Sequence, residues 1–222
     1  MSNTRTPATS PATDKVRERQ LDRVRFTLFS TAGLGIMLVI GLVLGYAAGF
    51  LTPRGNLPSD NSPEAGFARD MSAHHAQAVA MGMIAQEKGI NVAVRGFGAD
   101  IALTQQAQIG MMDQWLRDWK LNPNSASPPM SWMPDSMTSL ENGLMPGMAT
   151  QAEMAALSSA TGPEVDRLFL KMMIKHHLGG VHMVDGVLKV SENPDVVWLA
   201  TSMKAGQQGE ISALQELQKS VG

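Results

Sequence analysis

The 222-residue chain is predicted to be all-α: an antiparallel four-helix bundle built from a duplicated helix pair, preceded by one N-terminal transmembrane helix. Three observations carry that prediction. No charged residue occurs between Phe26 and Pro53. The passage "FARDMSAHHAQAVAM", beginning at Phe67, recurs as "FLKMMIKHHLGGVHM" at Phe169, an offset of 102 residues without a gap. In both passages the apolar residues step by four and three, the spacing of a helix face turned toward a bundle core.

Composition narrows the classes further. Hydrophobic residues make up 44% of the chain, enough for a core, and a net charge of −2 offers no general field for nucleic acid. Cysteine is absent, so disulfides, thiolate metal sites and a lipidated cysteine are excluded. Methionine is abundant, at 17 residues. Its thioether fills irregular cores and is also a soft ligand that suits Cu(I).

Residues 1–25, rich in Thr, Pro, Ser and charge, read as a disordered cytoplasmic tail. Residues 26–51 are long enough to cross a bilayer, which takes roughly 20 apolar residues, and exceed the ~7–15 of a secretory signal peptide. An uncleaved single-pass anchor in the cell membrane is therefore expected. Arg5, Lys15, Arg17, Arg19, Arg23 and Arg25 precede the span and only Arg54 follows closely, so the N-terminus should face the cytoplasm and the rest should face out. Gly41, Gly45 and Gly49 form a smooth stripe on which a transmembrane partner could pack. The plainer explanation is that glycine is common in membrane helices.

A linker of residues 52–62 leads to the bundle, residues 63–222. Ser62-Pro63-Glu64 opens the first helix, with a capping serine and proline at the first position, and Lys88-Gly89 closes it. Asn91 caps a second helix that runs to about Lys120. In the second unit Thr161-Gly162-Pro163-Glu164 opens one helix and Asn193-Pro194 the next. Connections this short favour antiparallel neighbours. The Pro/Met-rich connector, residues 121–161, contains Thr150 and Glu153, which match a capping box and start a short helix.

His74 falls on a core-facing seam with Phe67, Met71, Ala78, Met81 and Ala85; His176 does so with Phe169, Met173, Gly180, Met183 and Val187. His75 and His177 are rotated by about 100° and flank those seams. The partner helices place Gln105, Gln108, Gln207 and Glu210 on their own seams. Two explanations fit. In the first, the histidines hydrogen-bond these four residues and set helix register, since an unpaired buried polar group costs about 1–3 kcal/mol. In the second, His and Met side chains converge on a metal in the bundle core. Without thiolates and with few carboxylates, iron–sulfur and di-iron chemistry are disfavoured, and imidazole with thioether points to copper. Neutral imidazole is the ligating form, so affinity is expected to fall below about pH 6.5. His182 has Ala80 as its counterpart and reads as a surface residue or an auxiliary ligand.

The stretch "PPMSWMPDSMTSLENGLMPGM" holds Met130, Met133, Met137, Met145 and Met148. Either it folds back and buries these methionines with Trp132, or it is a mobile segment whose thioethers capture a soft metal.

"FARDMSAHHAQAVAM", "LENGLMPGMAT" and "VDRLFLKMMIKHHLGGVHM" together resemble the bacterial family called domain of unknown function 305, over roughly residues 64–220. The resemblance implies a ferritin-like four-helix fold outside the cytoplasm, and copper binding or copper tolerance, as known for some members. Carried over, the motif falls on Met71, His74, His75 and Met81, then on Met173, His176, His177 and Met183, with Met145 and Met148 in the linker. The family's partner-helix motif stands intact as Gln207, Glu210 and Ile211; in the first unit Gln108 replaces the glutamate, so the halves should differ. The expected function is a membrane-anchored extracytoplasmic copper-binding protein for buffering, tolerance or delivery. The alternative is an accessory subunit of a membrane complex, docked through the glycine stripe. No Ser/His/Asp set, phosphate loop or zinc signature appears, so no enzyme is expected.

Overall fold

The computed structural model describes residues 19, 20, 23, 33–47, 57–124, 127–134 and 140–221. The chain divides into two compact units, Met1–Asn56 and Leu57–Gly222. In the first unit, α1 is helical over its described residues, 33–47, and its apolar side chains are exposed. A Cβ added at Gly41 or Gly45 would meet nothing within 4 Å, so this face is open. Gly49 and the remainder of the predicted span 26–51 lie outside the described residues. Among the described residues no helix is long and apolar enough to cross a membrane.

The second unit is all-helical apart from its connectors: α2 (Pro63–Lys88), α3 (Val92–Asp118), α4 (Gln151–Ser159), α5 (Pro163–Val190) and α6 (Pro194–Val221). The caps act as the sequence predicts. Ser62 accepts from the Ala65 amide at 3.3 Å with Pro63 in the first turn, and Asn91 accepts from Ala93 and Val94. Asn193 repeats that arrangement on Asp195 and Val196. Thr150 and Glu153 complete the reciprocal capping box of α4. One expectation shifts slightly: α3 ends at Asp118 rather than Lys120, whose φ of +60° stops the helix.

α2 packs along α3, α5 packs along α6, and α2 joins the two pairs by lying against α5. Gly82 and Gly98 let α2 and α3 approach closely; a Cβ on Gly82 would stand 2.5 Å from the Gly98 carbonyl oxygen. Asp166 of α5 fastens the pairs by accepting from the Ile90 and Asn91 amides at the α2–α3 turn. The buried apolar residues fall into two clusters. One holds Phe67, Met71, Met112, Met183 and Met203; the other holds Met81, Ile101, Phe169, Met173 and Leu214.

The connector is packed, which corrects its reading as a mobile capture segment. Met130, Met133 and Met145 are buried in the first cluster, and Met148 packs against it. The Asp70 carboxylate accepts from the Met130 amide at 2.7 Å and from Trp132 Nε1 at 2.8 Å. The Trp132 ring meets Phe67 edge-on at 5.7 Å and covers Gly66, while Met133 covers Gly186. Burial of this much apolar surface holds the chain down more strongly than its lack of regular structure suggests. Met137 lies outside the described residues.

Candidate metal centre

Where α2 crosses α5, the two apolar clusters are separated by a polar layer. All four motif histidines lie in it, each at most 1% exposed. The His74 and His176 rings stack with centroids 3.8 Å apart and an interplanar angle of 33°. His75 and His177 each lie 6.4 Å from their neighbouring ring and turn outward to the partner helices. The layer follows from the repeat. The same helical register in two copies brings one histidine of each pair to the α2–α5 contact and sends the other to α3 or α6.

His75 Nε2 meets Gln108 Oε1 at 2.8 Å, and His177 Nε2 meets Glu210 Oε2 at 2.7 Å; both pairs span 33 residues. His74 Nε2 meets the Pro146 carbonyl oxygen at 3.0 Å. These oxygens accept, so Nε2 donates in each of the three rings. The Nδ1 atoms of all four histidines are buried and unpartnered, as are His176 Nε2 and the amide oxygens of Gln105 and Gln207. Metal-ligating histidines show this pattern, in which one ring nitrogen donates to a carbonyl or carboxylate and the other is free.

Burial favours the neutral form of His74, His75 and His176. It lowers His74 to about pKa 4, partly opposed by the Pro146 hydrogen bond, and lowers His75 to about 3 with help from His74. His176 is pushed well below the ordinary value, by burial first and then by His74. For these three rings the imidazolium form is disfavoured because it would lose its hydration.

The structure brings His74, His75, His176 and His177 together. The predicted methionines flank them rather than join them on one side. Met71 and Met183 sit in one cluster, with Met145 and Met148 beside them; Met81 and Met173 sit in the other. Among the described residues no three His, Asp or Glu side chains are grouped to hold a metal ion. A metal here would therefore draw on imidazole and thioether together. Gln105 and Gln207, expected to pair with histidines, do not; Gln108 and Glu210 do. His182 is exposed, as its position off the seam predicts.

Sequence reasoning missed the Pro146 carbonyl. The "MPG" of the linker signals a turn, but nothing in it says which side chain the carbonyl meets. Gly147, at φ +76°, lies against the backbone of Lys175 and His176, and a Cβ on Gly179 would collide with Pro146. Two glycines far apart in sequence thus let the linker reach His74.

A family model described as Domain of unknown function (DUF305) matches residues 64–218. No curated protein matches the chain. Among solved structures, a DUF305 protein from Streptomyces coelicolor, presumed secreted, is 40% identical, with 74% of this chain and 96% of that one covered and a TM-score of 0.68. A DUF305 fragment from Deinococcus radiodurans is 32% identical, covering 71% of this chain and 95% of its own, with a TM-score of 0.58. CopM in its Cu(I)-bound form is 21% identical, covering 72% and 96%, with a TM-score of 0.56; that likeness is one of fold.

Proposed function

The chain belongs to the DUF305 family, and from that premise we propose that its bundle is an extracytoplasmic, ferritin-like copper-binding domain. It acts in copper buffering, tolerance or delivery as a binding protein rather than an enzyme, and residues 26–51 tether it to the cell membrane. The single observation that carries the reading is the sealed histidine layer. Four buried imidazoles whose Nδ1 atoms have no hydrogen-bond partner stand between methionine-containing clusters. Left unfilled, such atoms cost stability. Imidazole and thioether donors suit Cu(I). CopM structures holding Cu(I), Cu(II) and silver support the metal class. The uncharged stretch with its basic flank, and the presumed secretion of the Streptomyces relative, support the location.

The test is a competition titration against a Cu(I) chelator with the wild type, His74→Ala/His176→Ala, and Met145→Leu/Met148→Leu. Copper binding should be lost in the histidine variant and weakened in the methionine variant. Binding retained by the histidine variant, with its fold verified by circular dichroism, would leave the histidines structural.

A further inference from the structure

We propose that residues 145–149 form a strap that gates entry to the histidine layer, with the Gly179 notch as its seat. The proposal concerns access to the site described above and rests on that reading only for the identity of the cargo.

The strap runs between α2 and α5, meeting the His74 ring through the Pro146 carbonyl and the His176 backbone through Gly147. On the α2 side Gln77 holds it twice: its amide donates to the Ala149 carbonyl at 2.9 Å and its carbonyl accepts from the Ala149 amide at 2.7 Å. On the α5 side Gly147 lies on the Lys175–His176 backbone and Pro146 fills the space a Gly179 side chain would occupy. Between these two anchorages, the Pro146 carbonyl reaches in to His74. Outside the strap is an open cavity of about 310 Å³, lined by Glu141, Lys175, Leu178 and His182 together with Pro146, Gly147 and Gly179. Pro146 and Gly147 thus line the outer cavity and touch the buried layer at once. Elsewhere the layer is bounded by the two apolar clusters and by the α3 and α6 side chains Gln108 and Glu210.

The segment is built to release as a unit. It contributes no regular secondary structure; its ends are held by the buried Met145 and Ala149, while Pro146 and Gly147 between them sit in space left by the missing side chain of Gly179. Local openings of such segments cost less than global unfolding. Lifting it would break the Pro146–His74 hydrogen bond and join the outer cavity to His74. His182, which the repeat does not require, stands at the mouth as an imidazole that an arriving soft metal ion would meet first.

Adjacent glycines supply the experiment. A methyl at Gly179 meets the strap, whereas a methyl at Gly180 meets Gln207 of α6. Gly179→Ala and Gly180→Ala are compared with wild type in two assays. The first needs no metal: diethyl pyrocarbonate labels histidines, and peptide mass mapping reads the rates at His74 and His176. Gly179→Ala should raise those rates about tenfold, equal to about 1.4 kcal/mol of lost seating, and Gly180→Ala should not. Gln77→Ala, which removes both α2 anchorages, should act in the same direction. The second assay follows transfer of Cu(I) from the loaded protein to a chromogenic chelator, which should quicken by the same factor in Gly179→Ala alone. Equal labelling of the buried pair in both glycine variants would overturn the strap. So would faster labelling in Gln108→Ala or Glu210→Ala than in Gly179→Ala, by moving the entrance to the α3–α6 side. Failure of every protein to bind Cu(I) would sink the copper reading and leave the labelling result to judge the strap.

Discussion

The α2–α3 pair and the α5–α6 pair are copies at a fixed offset, yet they treat the same histidine differently. His75 meets a carboxamide, Gln108, and His177 meets a carboxylate, Glu210, at nearly the same distance. The pairs also close differently. α2 and α3 touch through Gly82 and Gly98, whose counterparts in the second pair are Val184 and Ala200. The exposed Met83 and the buried Ala102 correspond to Asp185 and Lys204, which form an ion pair at 2.7 Å. What persists between the copies is the interior layer and the Asn91 and Asn193 caps, whereas Ser62 caps α2 with its side chain and Gly162 at the start of α5 makes no such bond. What diverges is the group that tunes each histidine and the way each hairpin is held, so the two halves should be separable by experiment.

The largest expected effect is shared by both halves and tests whether the layer behaves as one unit. His74 and His75 have folded values depressed to about 4 and 3 from an ordinary 6.5. Below pH 6.5 the unfolded chain therefore binds more protons than the fold, and stability rises with pH. The stabilisation from neutral rings is fully present above 6.5 and is lost as the pH falls toward those folded values. The loss is on the order of 3 kcal/mol for His74 alone. Urea unfolding followed by circular dichroism at pH 7, 6, 5 and 4 should show that decline, and His74→Leu/His75→Leu should flatten it. A flat wild-type profile would mean the rings are solvated.

A reciprocal exchange separates the halves next. If copper is the cargo, Glu210→Gln should weaken binding by about 10–100-fold, the usual cost of losing a partner behind a ligating histidine. Gln108→Glu should strengthen it. Chelator competition reads both, and identical affinities across wild type and the two variants would show the difference between halves to be inert.

A smaller effect concerns the closeness of α2 and α3. Gly82→Ala places a methyl against the Gly98 carbonyl and should cost about 1–3 kcal/mol in urea unfolding. Gly110→Ala, with open space around its Cβ, should be neutral or stabilise by up to about 1 kcal/mol. Equal outcomes would remove the proposed difference in helix approach. Smallest of all, breaking the half-exposed Asp185–Lys204 pair with Asp185→Ala should change stability by about 1 kcal/mol or less, and less again in high salt.

Much of the second unit was legible in the sequence because helices announce themselves locally. Ser62, Asn91, Thr150 and Asn193 mark helix starts by hydrogen bonds to amides two or three residues on, so their signals need no tertiary context. The duplication placed the four histidines in matched registers, but which of Gln105, Gln108, Gln207 and Glu210 each one meets came only from the structure. The same reasoning gave Gln105 and Gln207 histidine partners they do not have, because seam position says that a side chain faces inward but not which atom it meets. The connector was ambiguous for a related reason. Methionines in a loop have no period, and only the Asp70 anchorage and the gaps at Gly66 and Gly186 show that Met130 and Met133 are buried and Trp132 partly so.

By itself the sequence determined the helices, their caps, the repeat and the family, all of which rest on short-range spacing and side-chain chemistry. It also excluded thiolate ligands, since there is no cysteine. Only the tertiary structure decided that the histidines are sealed, that His74 spends its Nε2 proton on Pro146, and that the methionines are split between two clusters. Those facts depend on the crossing of α2 with α5 and on contacts such as His74 with Pro146, 72 residues apart. Burial, and with it a histidine's charge and free lone pair, is a property of what surrounds a side chain from every direction, and local spacing does not encode it.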